Sequence, residues 1–186
     1  MKHLVEPIRN RHDIVAIEKY LKENIRNHLI WVFGTNTGLR ISDILALNVE
    51  DVRNKRYIEI IEKKTKKYKC FPLNNKLRNL IKKYLVERDK MYSLTKDEPL
   101  FLGKKHCRFN RVEAWKFINQ ACKELNINVN VGTHTMRKTF GYHHYKQFRD
   151  VALLQNVFNH SSPSITLRYI GIAQDEINEN LMAFEL

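Results

Sequence analysis

The stretch Asn27-His28-Leu29-Ile30-Trp31-Val32-Phe33-Gly34-Thr35-Asn36-Thr37-Gly38-Leu39-Arg40-Ile41-Ser42-Asp43-Ile44-Leu45 decides the fold. From about Asn27 to Thr35 the apolar residues run nearly all round a helix, the pattern of a helix central to a core rather than lying on a surface. Gly38 stops it, since glycine readily takes the left-handed conformation that ends helices. Ile41, Ile44, Leu45 and Leu47 then restart the helical period. Arg40 therefore stands at the joint between two helices.

Upstream, Ile14, Ile17 and Leu21 recur at helical spacing, with Asp13 as the expected N-cap. Downstream, Tyr57 to Ile61 and Tyr68 to Phe71 are rich in β-branched and aromatic residues and flank the polar stretch Glu62 to Lys67, which predicts a β-hairpin with a lysine-loaded tip. Leu77, Leu80, Ile81, Tyr84 and Leu85 form one helical stripe, and Val112, Trp115, Ile118, Cys122 and Leu125 form another; both are expected to face the core. Further helices are expected over Thr135 to Gln147, Val151 to Phe158 and Ser164 to Tyr169. Ile177, Leu181 and Phe184 make an apolar stripe in a C-terminal docking tail, residues 174–186. The predicted class is mainly α with a small antiparallel β-hairpin sheet, folded as a single domain over residues 1–186.

At 186 residues the chain can bury one substantial core, and no Pro/Gly/Ser-rich stretch marks a second. Its longest apolar run, Leu29 to Phe33, is far too short to span a bilayer, and no apolar segment follows the N-terminal lysine. A soluble, cytoplasmic protein is expected. Cys70, Cys107 and Cys122 are odd in number and widely spaced, as suits reduced thiols, and none pairs with a histidine at zinc-ligand spacing. No metal site and no cofactor are predicted. The 33 basic residues outnumber the 20 acidic ones, giving a formal charge of +13 that favours a polyanionic partner, either nucleic acid or an acidic membrane surface. Lysines gather at Lys63, Lys64, Lys66, Lys67 and Lys69. A membrane partner is disfavoured because the chain lacks a strongly amphipathic basic helix with bulky apolar anchors.

The residues able to carry chemistry lie in five places. Thr37-Gly38-Leu39-Arg40-Ile41-Ser42-Asp43 comes first and Lys63-Lys64-Thr65-Lys66-Lys67 second. His134-Thr135-Met136-Arg137-Lys138-Thr139-Phe140 follows, then Asn159-His160-Ser161-Ser162, then Thr166-Leu167-Arg168-Tyr169-Ile170-Gly171. Planar guanidinium groups match the two non-bridging oxygens of a phosphodiester with paired, charge-assisted hydrogen bonds, which suits Arg40 and Arg137. A tyrosine can attack phosphorus and conserve the bond energy in an ester, which suits Tyr169.

In order and in spacing, these boxes resemble the tyrosine recombinase (phage integrase) family, whose signature is an arginine in a Thr-Gly-Leu-Arg box, a hairpin lysine, a His-x-x-Arg box, a His or Trp, and a C-terminal tyrosine. The resemblance runs from about residue 5 to 180. It implies a catalytic domain that cuts and rejoins double-stranded DNA through a 3′-phosphotyrosyl intermediate on Tyr169, without metal or ATP. By the same resemblance His134 moves a proton or positions the phosphate, and His160 donates to a non-bridging oxygen. Lys64, which precedes Thr65, protonates the departing 5′ oxygen, and Asp43 supports Arg40. Lys66, Lys67 and Lys138 are expected to contact DNA. The expected assembly is a monomer alone and a tetramer on recombining DNA.

Taken singly, each residue has a plainer reading. Arg40 with Asp43 would be a surface ion pair, the lysine tip a solvated turn, and Tyr169 core packing. Only the ordered set lifts them. His143 and His144 match nothing in it and receive no role. Two features depart from the family pattern: Asn159 stands where glycine often precedes the histidine, and the helical DNA-clamping domain that normally comes first is expected to be absent. The alternative function is a non-catalytic DNA-binding or regulatory module derived from an integrase, a role with no need for Tyr169.

Overall fold

The computed structural model describes residues 5–90, 97–103, 106–172, 175, 179 and 181–185. Helix α1 spans Arg11–Leu21 and begins earlier than expected, because the Asn10 side chain caps it by accepting from the His12 N–H. Asp13 instead occupies the first turn, where a carboxylate opposes the helix dipole. Helix α2 (Ile25–Thr37) is buried from His28 to Gly34 and ends at Gly38, whose φ of 65° is the left-handed cap its glycine predicted. The restarted helix is short: α3 covers Ile41–Ile44 alone.

Strands β1 (Tyr57–Ile61) and β2 (Tyr68–Pro72) pair antiparallel, with Tyr57 opposite Pro72 and Ile61 opposite Tyr68. The hairpin falls where the β-branched runs placed it. Helix α4 (Asn75–Asp89) buries Leu77, Ile81 and Tyr84 of the predicted stripe, and its Leu80 and Leu85 pack partly buried against the core.

Helix α5 (Arg111–Glu124) starts from a reciprocal capping box between Asn110 and Glu113. Its core face differs from expectation. Ala114, Ile118, Ala121 and Cys122 are buried, whereas Val112 is exposed and Trp115 sits at the rim, its indole N–H donating to the Val131 carbonyl at 3.0 Å. Ala114 and Ala121 join Ile118 and Cys122 of the predicted stripe in the core, while its Val112 and Trp115 stay at the surface.

Helices α6 (Thr135–Phe148), α7 (Val151–Phe158) and α8 (Pro163–Ile170) complete the described fold. A large core cluster joins α1 to α5 and the hairpin. A smaller one, Tyr145, Leu154, Phe158, Ile170 and Ile172, joins α6 to α8. Helix α6 binds the two together: it packs on α2, and Gly141 lets Ile170 and Phe158 approach so closely that a Cβ there would lie 2.6 and 2.7 Å from them. The tail is described only in part. Ile177 lies outside the described residues, while Leu181 and Phe184 are exposed, so these two do not dock on their own domain. No described helix is long and apolar enough to cross a membrane.

Candidate active site

Most helices of the fold are capped by a side chain: Asn10, Asn24, Asn74, Asn110, Asp150 and Ser162 each accept from a first-turn N–H. Two are not. Helix α3 starts at Arg40 and α6 at His134, and neither residue caps its own helix. Both side chains are thereby left to make contacts beyond their own helices, Arg40 with Glu62 and His134 with Tyr169.

Arg137, one turn into α6, is 3% exposed. One terminal nitrogen donates to the Gly38 carbonyl at 2.5 Å and the other to the Phe158 carbonyl at 3.0 Å, while the guanidinium lies 4.5 Å over the Phe158 ring. The end of α2, the end of α7 and the start of α6 are thus tied by one side chain. A guanidinium has five N–H donors, so several are left for a ligand. Burial, together with the neighbouring Arg40, pushes its pKa down to about 10, which leaves it charged at neutral pH.

Arg40 comes from the α2–α3 joint. Its nearest partner is not Asp43 but Glu62, at the end of β1, whose Oε1 lies 2.5 Å from Nη1. Asp43 is 3.9 Å away and buried, and its Oδ1 accepts from the Lys63 N–H at 3.1 Å. Asp43 does share Arg40's face, as its spacing predicted, but it acts chiefly on the hairpin turn. Glu62 escaped the sequence reading. The available signal was its place as the sole acid in the run Glu62 to Lys69.

Tyr169, on the last turn of α8, packs edge-on against His160 at 4.9 Å and Phe158 at 5.4 Å between ring centres. Its hydroxyl lies 3.1 Å from Nδ1 of His134. Burial raises the tyrosine pKa above its usual 10, against the opposing pull of Arg137 and Arg40. Burial also lowers the pKa of His134, helped by Arg137, Lys138, Arg40 and Lys64, so its imidazole is neutral at physiological pH. His160 is lowered likewise by burial, then Arg137 and Arg40. Its Nδ1 sits 3.1 Å from Thr166 Oγ1, a partner the sequence did not reveal.

The hairpin tip reaches the same place. Lys64, Lys66 and Lys67 are exposed, and Lys67 Nζ donates to Asn159 Oδ1 at 2.8 Å. Asn159 takes the left-handed cap of α7, φ 57°, so it serves the turn in place of glycine. The expectation for Lys138 needs correction. It is 8% exposed, its Nζ donates to the Val5 carbonyl at 2.8 Å and stands 5.0 Å over the Tyr169 ring, so it packs beneath the tyrosine rather than facing a DNA surface. His143, on α6, donates from Nε2 to the Ile8 carbonyl at 2.9 Å. Among the described residues no group of three or more His, Cys, Asp or Glu could hold a metal ion.

Two arginines, two histidines, a tyrosine and a lysine turn thus converge from five separate stretches. The cluster sets two guanidinium groups, one of them paired to Glu62, beside a tyrosine hydroxyl within hydrogen-bonding reach of an imidazole. The fold is that of tyrosine recombinase catalytic domains. It superposes on the XerA recombinase with a TM-score of 0.77 at 19% identity, over 97% of this chain and 66% of that one. The catalytic domain of bacteriophage HP1 integrase gives 0.64 at 21% identity, over 97% and 95%. The Tn1549 transposon integrase in complex with transposon right end DNA gives 0.73 at 19%, over 98% and 67%.

Residues 10–176 match the phage integrase family, and the chain belongs to it. It is 40% identical over 175 residues to the probable integrase/recombinase YoeC of Bacillus subtilis, covering 93% of each chain. It is 28% identical over 168 residues to the tyrosine recombinase XerD of Corynebacterium glutamicum, covering 90% of this chain and 54% of that protein. The chain thus spans nearly all of the first relative and about half of the second.

Proposed function

We propose that this chain is a site-specific DNA recombinase catalytic domain that cuts and rejoins double-stranded DNA through a 3′-phosphotyrosyl intermediate, with no metal or nucleotide required. The observation that carries this reading is the 3.1 Å approach of Tyr169 to a neutral His134 beside two arginines. The tyrosine oxygen attacks phosphorus while its proton passes to Nδ1 of His134. Charge gathering on the non-bridging oxygens is met by Arg40, Arg137 and His160. The bond from phosphorus to the 5′ oxygen breaks, and Lys64 gives that oxygen a proton. The products are a phosphotyrosine ester and a free 5′ hydroxyl, and the reverse sequence joins a new end.

DNA as the partner is supported by the +13 charge, by the exposed Lys64, Lys66 and Lys67, and by the DNA that the Tn1549 integrase structure contains. A non-catalytic binding module would have no use for a tyrosine hydroxyl held against an imidazole. The test is trapping: the protein is incubated with a nicked suicide duplex and run on a denaturing gel. A covalent adduct that survives EDTA is expected. Loss of adduct in EDTA with recovery in magnesium overturns the metal-free mechanism, and absence of adduct in any buffer favours the binding module.

A further inference from the structure

Glu62 is the one fully buried acid in the lysine-rich hairpin turn, 0% exposed, and a carboxylate so placed is costly unless both its oxygens are engaged. Both are. Oε1 lies 2.5 Å from Arg40 Nη1 and Oε2 accepts from Thr65 Oγ1 at 2.5 Å. Its backbone is committed to the same turn, with its N–H donating to the Lys67 carbonyl and its carbonyl accepting from the Lys66 N–H, each at 2.9 Å. Asp43 adds a second strut by accepting from the Lys63 N–H at 3.1 Å. Lys64 therefore sits in a turn whose flanking residues, Lys63 and Thr65, are both held by the acids that surround Arg40.

Resting on the function proposed above, we propose that Glu62 is a positioning residue that fixes Arg40 and the Lys64 turn in one relation, so that charge stabilisation on the phosphate and protonation of the leaving oxygen are set by a single carboxylate. A buried ion pair alone adds little net stability over an apolar replacement, so stability does not explain its place. What the pair supplies is geometry. Arg40 belongs to the α2–α3 joint and Lys64 to the hairpin, and no backbone hydrogen bond ties Arg40 itself to the turn. Without Glu62 the arginine keeps only the 3.9 Å contact to Asp43, and the Thr65 side of the turn is released.

The test is single-turnover cleavage of two suicide duplexes, one ordinary and one carrying sulfur in place of the bridging 5′ oxygen. Sulfur leaves without a proton, so it relieves a defect in leaving-group protonation but not one in phosphate charge stabilisation. Lys64→Ala and Arg40→Ala serve as the two references, rescued and unrescued by sulfur. Thr65→Val, which removes only the strut to the turn, should cleave ordinary DNA about tenfold slower, the scale of one lost hydrogen bond, and recover on sulfur. Glu62→Ala should lose more and recover only in part, its residual defect being the Arg40 share. Glu62→Gln, which can still accept from Arg40 and donate to Thr65, should regain most of the rate.

A Glu62→Ala defect untouched by sulfur, or Thr65→Val cleaving ordinary DNA at the wild-type rate, overturns the coupling. If Glu62→Ala does not fold by thermal melting, Thr65→Val, at a half-exposed position, decides alone. If the wild type forms no adduct on either duplex, the proposed reaction fails and this inference with it. If the wild type and both references behave as stated, a negative result at Glu62 and Thr65 removes the coupling only.

Discussion

Nδ1 of His134 stands 3.1 Å from the Tyr169 hydroxyl, joining the residue that opens α6 to the last turn of α8. Burial holds the two pKa values apart, with the proton on the tyrosine and the imidazole free to take it. Tyr169→Phe should keep DNA binding and form no adduct. His134→Ala should slow adduct formation by about 10²–10⁴-fold, the range for one proton-transfer group. Because the His134 pKa is lowered from 6.5, its neutral form persists below that pH. The adduct rate, followed from pH 8 to 5, should reach half of its plateau at a pH below 6.5. A midpoint above pH 6.5 would remove His134 as the base.

Thr166 governs how His160 can act. Its single hydroxyl proton lies within reach of both the Ser162 carbonyl, at 3.2 Å, and His160 Nδ1, at 3.1 Å. When it donates to Nδ1, the ring proton must reside on Nε2, where a neutral imidazole can offer it to a phosphate oxygen. Thr166→Val should therefore slow cleavage by up to about tenfold, the scale of one hydrogen bond, and Thr166→Ser should restore it. Equal rates for wild type and Thr166→Val in a single-turnover assay would leave the tautomer unassigned to Thr166.

Gly141 is where α6 meets the smaller core. An added methyl would meet Ile170 Cγ2 at 2.6 Å and the Phe158 ring at 2.7 Å, and both residues are fully buried with no room to yield. Gly141→Ala should destabilise by about 1–3 kcal/mol, the usual cost of overpacking. At about 2–4 °C per kcal/mol for a domain of this size, the loss is visible in a thermal melt. Since Ile170 adjoins Tyr169, the adduct rate at a temperature where the variant is fully folded should fall as well. An unchanged melting temperature would mean that the α6–α8 contact is looser than described.

Leu181 is 69% exposed and Phe184 68%, so neither contributes to the core of its own domain. Leu181→Asp should leave the melting temperature unchanged. If the tail docks on a neighbouring protomer, the same variant should weaken assembly of higher complexes on paired DNA sites, measured by native gel or light scattering. A lowered melting temperature would instead place the tail on its own domain.

Local pattern alone was enough to place α2 and its stop at Gly38, both hairpin strands, α7 and α8, because each depends on near-neighbour periodicity and on the conformational preference of one or two residues. The ordered boxes likewise singled out Arg40, Arg137, His134, His160 and Tyr169, and the structure brings them together. What the sequence could not settle were relations across long separations. The closer partner of Arg40 is Glu62, 22 positions away, with Asp43 at three positions standing farther off at 3.9 Å. Arg137 spends part of its donor set on carbonyls 99 and 21 positions away. Lys138 bears the charge of a DNA contact yet is turned inward to the Val5 carbonyl, 133 positions distant. The core face of α5 takes in Ala114 and Ala121 and leaves Val112 and Trp115 at the surface. Periodicity states that a residue lies on a helix face, but which neighbour satisfies a buried charge depends on how whole elements pack, and that is decided only when the two cores close around α6.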